Sequence, residues 1–206
     1  MMGKDLVIVD YQAGNLRSVV RALEAVGAHP SITSDPEEVR QARAVVLPGQ
    51  GACDSAMVAL EASQLTSAVK EFIQSERPFL GVCLGLQLLL DFTEEGNVPC
   101  LGIFPGRVRR LPPGLKVPHM GWNQVHVVKD HPVLRDIPQD SYFYFVHSYY
   151  ADPEDPSLVA GTTSYGLSFC AAVAHGRLVA TQFHPEKSGL TGLQIYRNFV
   201  AYAKEG

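Results

Sequence analysis

The first half of the chain alternates short apolar runs with amphipathic stretches. Residues 6–9 are wholly apolar and stop at Asp10, the mark of a strand buried on both faces. Leu16, Val19, Val20, Leu23 and Val26 then recur at helical spacing, with Asn15 placed to cap the helix and Gly27 to stop it. Asp35-Pro36-Glu37-Glu38 predicts another helix start: a capping acid, a proline in the first turn and acids at the positive end of the dipole. Residues 44–47 read as a second buried strand ended by Pro48-Gly49, and a helical stretch follows to about Glu76. Pro78 introduces the apolar run 79–82, which leads through Cys83 into a helical run over 86–92.

From about residue 100 the pattern changes. Val108 and the segments 125–128, 142–146 and 170–173 alternate or cluster apolar and β-branched residues. Ala174-His175-Gly176-Arg177 predicts a tight hairpin turn into 178–183, and 193–202 has helical spacing. Strands separated by helices pair in parallel through right-handed crossovers. The expectation is one α/β domain over residues 1–206, a mostly parallel, doubly wound sheet with an antiparallel extension. In such sheets the site lies beyond the carboxyl ends of the strands.

Composition narrows the function. At 46% hydrophobic and 18% charged the chain can bury a large core. A net charge of −4 gives no support to a nucleic-acid or anionic-membrane partner. The first apolar run is too short for a signal segment, and no window approaches the ~18 apolar residues of a membrane span, so a cytoplasmic protein is expected. Cys53, Cys83, Cys100 and Cys170 form no C-x-x-C pair, and in a reducing compartment they are free thiols. His29, His119, His126, His131, His147 and His175 form no H-x-H or H-E-x-x-H pattern, so neither a metal site nor a cofactor is expected.

Three motifs carry chemistry. Gly81-Val82-Cys83-Leu84-Gly85 has the form of a nucleophile elbow between strand and helix, where small flanking residues permit a sharp turn. A cysteine there lies at a helix N-terminus, which favours thiolate. Gln182-Phe183-His184-Pro185-Glu186 offers a base at a strand end and a carboxylate to fix its tautomer. Pro48-Gly49-Gln50-Gly51 lets the backbone turn N–H groups toward an oxyanion, and without a following G-K-[ST] it is no phosphate loop. Each has an ordinary alternative: a buried strand-end cysteine, a polar surface loop, a generic turn. Taken alone, the last two motifs are better explained that way.

In this order the motifs resemble the class I, triad-type glutamine amidotransferases, which combine a P-G-x-G turn, a G-x-C-x-G-x-Q elbow and an H-P-E element. The elbow here continues through Leu86 to Gln87. Asp10-Tyr11, Gly14-Asn15-Leu16-Arg17-Ser18, Pro118-His119-Met120-Gly121-Trp122-Asn123, His147-Ser148-Tyr149-Tyr150 and His184-Pro185-Glu186-Lys187-Ser188-Gly189 are similar to the glutaminase subunits of imidazole glycerol phosphate synthase, of histidine biosynthesis. Leu86 stands where methionine is frequent in that family.

The resemblance implies a flavodoxin-like three-layer fold and a Cys83 thiolate that attacks the carboxamide of L-glutamine. Backbone N–H groups near Gly51 and of Leu84 hold the oxyanion. His184, oriented by Glu186, protonates the leaving ammonia, and water then cleaves the thioester. Gln87, Glu95, Ser148 and Tyr149 match positions that hold the α-amino and α-carboxylate groups, since a zwitterion needs an acceptor and donors. The glutaminase elements occupy all 206 residues, so a separate partner is implied, a (β/α)8-barrel cyclase subunit in a heterodimer. That subunit makes imidazole glycerol phosphate and a purine-pathway carboxamide ribonucleotide. Asn15, Met120, Trp122, Lys187 and Ser188 match segments that face it. Weak activity without the partner is expected, with the 48–51 turn as the element that moves. Rival readings are the glutaminase of a pyridoxal phosphate, anthranilate or aminodeoxychorismate synthase, a stand-alone cysteine hydrolase, and a scaffold with a vestigial site. The Gly14 to Ser18, Pro118 to Asn123 and Lys187 to Gly189 segments argue against the first, and Gln87 against the second.

Overall fold

The computed structural model describes residues 5–12 and 16–205, so Asn15, with its proposed cap and interface roles, lies outside the described residues. The first elements are β1 (Leu6–Val9), α1 (Leu16–Ala25), β2 (Ser31–Thr33), α2 (Pro36–Gln41), β3 (Ala44–Gly49), α3 (Cys53–Ala62), α4 (Leu65–Gln74), β4 (Phe79–Cys83) and α5 (Leu84–Gln87). Then come β5 (Leu90–Thr93), β6 (Val98–Pro99), β7 (Phe104–Arg110), β8 (His119–Val127), β9 (Ser141–His147) and β10 (Tyr149–Pro153). The last are β11 (Val159–Ser164), β12 (Ser168–His175), β13 (Leu178–Thr181) and α6 (Gly189–Lys204).

The sheet begins with a parallel block in the order β2-β1-β3-β4-β13. Strand β12 joins β13 antiparallel and carries the sheet on through β10, β7, β5 and β6, while β11, β8 and β9 branch from β12. The apolar runs of the parallel block are continuous because both faces are covered. Val7, Val9, Val45 and Leu47 pack with α2, α3 and α4, whereas Leu6, Ile8, Ala44 and Val46 pack with α1 and α6. That alternation is the period of a strand laid between two helical layers. Asp35 caps α2 as its sequence demands, with Oδ1 accepting the Glu37 N–H at 2.8 Å. The hairpin turn at Gly176-Arg177 is also present, with His175 opposite Leu178.

Two expectations need correction. The helical stretch after β3 is two helices, broken where Gln64 takes a left-handed φ of 56°. The run over 86–92 is not a helix: α5 ends at Gln87, and Leu90–Thr93 is strand β5, pairing with β6 and β7. A strand-compatible Leu-Asp-Phe-Thr segment with a free ladder on each side prefers the sheet to a helix extension. The short strands β2, β6, β10 and β11 were not signalled by the apolar pattern, because partner strands rather than local alternation define them.

The carboxyl ends of the parallel strands converge. Gly49 at the end of β3 lies opposite Cys83 at the end of β4, and Val82 lies opposite Thr181 at the end of β13. Among the described residues no helix is long and apolar enough to cross a membrane.

Candidate active site

Cys83 sits at the sharp junction of β4 and α5, with φ 54° and ψ −102°. For a residue bearing a Cβ such a conformation costs on the order of 1–3 kcal/mol and is held by its surroundings. The flanking glycines explain how. A Cβ on Gly85 would stand 2.0 Å from the Leu47 carbonyl oxygen, and one on Gly81 would stand 2.8 Å from the Ala180 Cβ. Without a side chain Gly85 lets α5 sit against β3, and Gly81 lets β4 pass close to Ala180 of β13 and to the Gly85 carbonyl. The sulfur is nearly buried, and α5 is a single turn, so its dipole is small.

The His-Pro-Glu element follows β13. His184 Nδ1 lies 2.7 Å from Glu186 Oε1, and both side chains are almost wholly buried. Tyr196 on α6 donates its hydroxyl to Glu186 Oε2 at 3.4 Å. The loop is stitched to β9: His184 N–H donates to Tyr144 O at 2.9 Å, Ser188 Oγ accepts the Tyr144 N–H at 3.0 Å and donates to His184 O at 2.6 Å. With Nδ1–H committed to the carboxylate, Nε2 is the free base position. It is buried and has no hydrogen-bond partner among the described residues. Burial lowers the His184 pKa, but the charge and contact of Cys83, then Glu186, outweigh it and raise the value to about 10. The charges couple although the resting geometry is not that of a hydrogen bond; in catalytic pairs that bond often tightens only with substrate.

A cavity of about 270 Å³ opens beside the sulfur. Gly51, Cys83, Leu84, Gln87 and Glu95 line it from the first half of the chain, and His147, Ser148 and Tyr149 from the second. Gly51 has φ +102°, which only glycine adopts without strain. The 48–51 turn is anchored at one end, where Tyr11 donates to Pro48 O at 3.0 Å. Glu95 Oε2 accepts the Cys53 N–H at 2.8 Å, and burial raises its pKa. Cys53, given no role by any sequence motif, also touches Gln87: its thiol lies 3.4 Å from Gln87 Oε1. Contact with Cys100, then burial, raises the Cys53 pKa, which keeps its proton in place.

Behind the cavity runs a hydrogen-bond chain not visible in the motifs. His147 Nδ1 lies 2.8 Å from Tyr149 O, His119 Nδ1 lies 2.9 Å from His147 Nε2, and Asn123 Nδ2 lies 3.3 Å from His119 Nε2. A carbonyl can only accept, so each imidazole must carry its proton on Nδ1. Both rings are therefore neutral, and burial lowers the pKa of both, that of His147 to about 3. Gln182, quoted in the sequence motif without a role, joins Gln87 at 3.0 Å and Cys83 at 3.7 Å.

Met120 and Trp122 point to the same side of β8 and are 62% and 56% exposed. Trp122 meets the Tyr144 ring edge-on, and Lys187 Nζ lies 5.9 Å from the same ring centre, so the three share one face. Ser188 does not join them: it is buried, and its hydroxyl braces the His184 loop. Among the described residues no group of three metal-binding side chains occurs.

Residues 7–203 match the family Glutamine amidotransferase class-I. The chain is 50% identical to "Imidazole glycerol phosphate synthase subunit HisH" of Dehalococcoides mccartyi (strain ATCC BAA-2266) over 199 residues, 96% of this chain and 97% of the relative. It is also 50% identical to the protein of the same name from Thermosynechococcus vestitus, covering both chains in full. Among solved structures, PurLQS from Thermotoga maritima superposes with a TM-score of 0.75 at 16% identity, covering 98% of this chain and 99% of that one. The glutaminase domain of CTPS from Trypanosoma brucei gives 0.69 at 16% identity, covering 98% and 94%. At that identity these last two speak for the fold alone. The family match and the relatives spanning almost every residue together make this chain a class-I glutamine amidotransferase of the imidazole glycerol phosphate synthase subunit HisH family.

Proposed function

We propose that this chain is the glutaminase subunit of imidazole glycerol phosphate synthase, in which Cys83 releases ammonia from L-glutamine for a cyclase partner in histidine biosynthesis. The observation that carries the reading is a strained elbow cysteine on the wall of a glutamine-sized cavity, electrostatically coupled to an imidazole that Glu186 holds.

The Cys83 thiolate adds to the carboxamide carbon and the oxygen takes the negative charge. The N–H of Leu84 and a backbone N–H near Gly51 are the donors for it; each such donor is typically worth about 3–4 kcal/mol of barrier. As the C–N bond breaks, His184 Nε2 gives its proton to the nitrogen, which leaves as ammonia. A water then adds to the γ-glutamyl thioester, His184 takes its proton, and glutamate departs as the sulfur regains the electron pair. Glu95 provides negative charge for the substrate ammonium, while Gln87 and the backbone of Ser148 and Tyr149 address the substrate's amino-acid end.

The receiving partner is a (β/α)8-barrel cyclase subunit docked against Met120, Trp122 and Lys187 as a heterodimer. Large exposed apolar side chains beside a cation are the kind of surface such an interface buries. The 48–51 turn completes the oxyanion site when the partner binds, so the lone subunit is weakly active. Labelling with an electrophilic glutamine analogue tests the chemistry. One adduct on Cys83, prevented by excess glutamine, is expected; modification elsewhere, or no protection by glutamine, overturns the assignment.

A further inference from the structure

The amides around Cys83 form one oriented chain, and its direction follows from a single backbone atom. Tyr149 O can only accept. It lies 2.8 Å from the Gln87 side-chain amide, so the atom facing it must be Nε2. The second N–H of that nitrogen points to the Gln182 side chain at 3.0 Å, so the Gln182 atom there must be Oε1. Gln87 Oε1, on its other side, accepts from the Cys53 thiol at 3.4 Å. With its oxygen held by Gln87, Gln182 has to turn its NH2 group the opposite way. There Nε2 lies 3.7 Å from Cys83 Sγ.

Gln182 cannot relax out of this arrangement. Its side chain is fully buried, and its N–H donates to Ala171 O on β12 at 2.8 Å. Among the described residues His184 Nε2 has no hydrogen-bond partner, so in the resting site the base acts on the sulfur through its charge rather than through a formed hydrogen bond. We propose that Gln182 is a catalytic residue that acts on the nucleophile itself, donating an amide N–H to Cys83 Sγ. Resting on the glutaminase reading for the identity of the reaction, this assigns two jobs to two groups. The amide cannot give up its proton, so it stabilises the sulfur anion before attack and again when the thioester is cleaved, without competing as a base. His184 is then left free to serve the leaving nitrogen and the incoming water. An anion buried this deeply with no fixed donor would be heavily penalised.

The test reads the sulfur directly, as the rate of iodoacetamide alkylation of Cys83 against pH in the full chain, followed by peptide mass mapping. The other titratable groups facing the sulfur are His184, with Glu186 behind it and His147 beyond, and Tyr11; none is altered. Gln182→Met removes the donor at nearly constant volume. It should slow alkylation at neutral pH about tenfold and move the pH midpoint upward, and kcat for glutamine should fall more than KM changes. Gln182→Glu keeps an acceptor for Gln87 but sets a carboxylate oxygen against the sulfur, and should lose more, about a hundredfold. If either variant fails to fold, the other still decides. In the unaltered chain, the Gln182 side-chain amide proton should shift with pH together with the thiol and stop doing so once Cys83 is alkylated. Unchanged alkylation in a folded variant, or an amide proton indifferent to the state of Cys83, overturns the proposal. A chain whose Cys83 alkylates as described but which never hydrolyses glutamine would instead sink the glutaminase reading and leave the Gln182 contact standing.

Discussion

Glu186 and Tyr196 hold His184 in series, and their unequal geometry predicts unequal effects. Losing the 2.7 Å carboxylate contact in Glu186→Ala frees the imidazole to take the wrong tautomer and should lower kcat by about 10²–10⁴-fold. Tyr196→Phe removes only a 3.4 Å contact to the second oxygen and should cost a few-fold at most. Steady-state glutamine hydrolysis by both variants checks this, and a Tyr196→Phe defect as large as that of Glu186→Ala would contradict it. A second prediction concerns pH. His147 titrates near 6.5 in an unfolded chain, and burial lowers it to about 3 in the fold. Between these values the unfolded chain binds a proton that the native chain refuses. The stability associated with the neutral ring is therefore complete above about pH 6.5 and is lost as pH falls, by up to about 1.4 kcal/mol per unit. Burial moves His119 the same way. Urea midpoints should drop from pH 6.5 to 5, below the range in which His184, raised by its partners, works in the opposite sense, and His147→Gln should flatten the drop; an equal slope in the variant would show that His147 is not its source. At this scale Cys83, His184 and Glu186 were legible because each belongs to a local motif. Gln182 and the His119–His147 pair were not, because their partners lie 95 and 28 positions away.

Among the elements, the elbow depends on the contact between α5 and β3. Gly85→Ala drives a methyl into the Leu47 carbonyl, a rigid neighbour, and should cost about 3 kcal/mol, the upper end of the overpacking range, with loss of activity as Cys83 shifts. Denaturant unfolding combined with Cys83 alkylation would detect both effects, and a stable, fully reactive variant would refute this account of the glycine. The elbow was readable in advance because strand, small residues and nucleophile are contiguous. Its helix was not: the sequence pointed to a run over 86–92, yet the chain leaves the helix after Gln87 to supply β5. Leu90, Phe92 and Thr93 are settled by ladders with β6 and β7, which no local pattern contains. Asp35 is the opposite case. Its cap is local in origin, and Asp35→Ala should cost about 1 kcal/mol with no change in activity.

For the whole molecule, the parallel block delivers Gly49, Cys83 and the start of the His184 loop to one edge of the sheet, and the antiparallel extension brings Ser148 and Tyr149 across to close the cavity. Strand β8 connects two surfaces: His119 faces inward toward the chain behind Tyr149, while Met120 and Trp122 face outward. Trp122→Ala should weaken assembly with the cyclase about 30-fold, the effect of an interface anchor worth roughly 2 kcal/mol, and leave the lone subunit's fold unchanged. Titration of the subunit by calorimetry reads this, and an unchanged affinity would remove Trp122 from the interface. The proposal to test is the release of ammonia by Cys83 on demand from a partner. Its most direct test is glutamine hydrolysis by the chain alone and with the cyclase subunit and its nucleotide ligand, with Cys83→Ala alongside. Slow turnover alone, a large increase in the loaded complex, and no turnover in Cys83→Ala under either condition are expected. Equal rates with and without the partner, or turnover that survives the loss of Cys83, would contradict it.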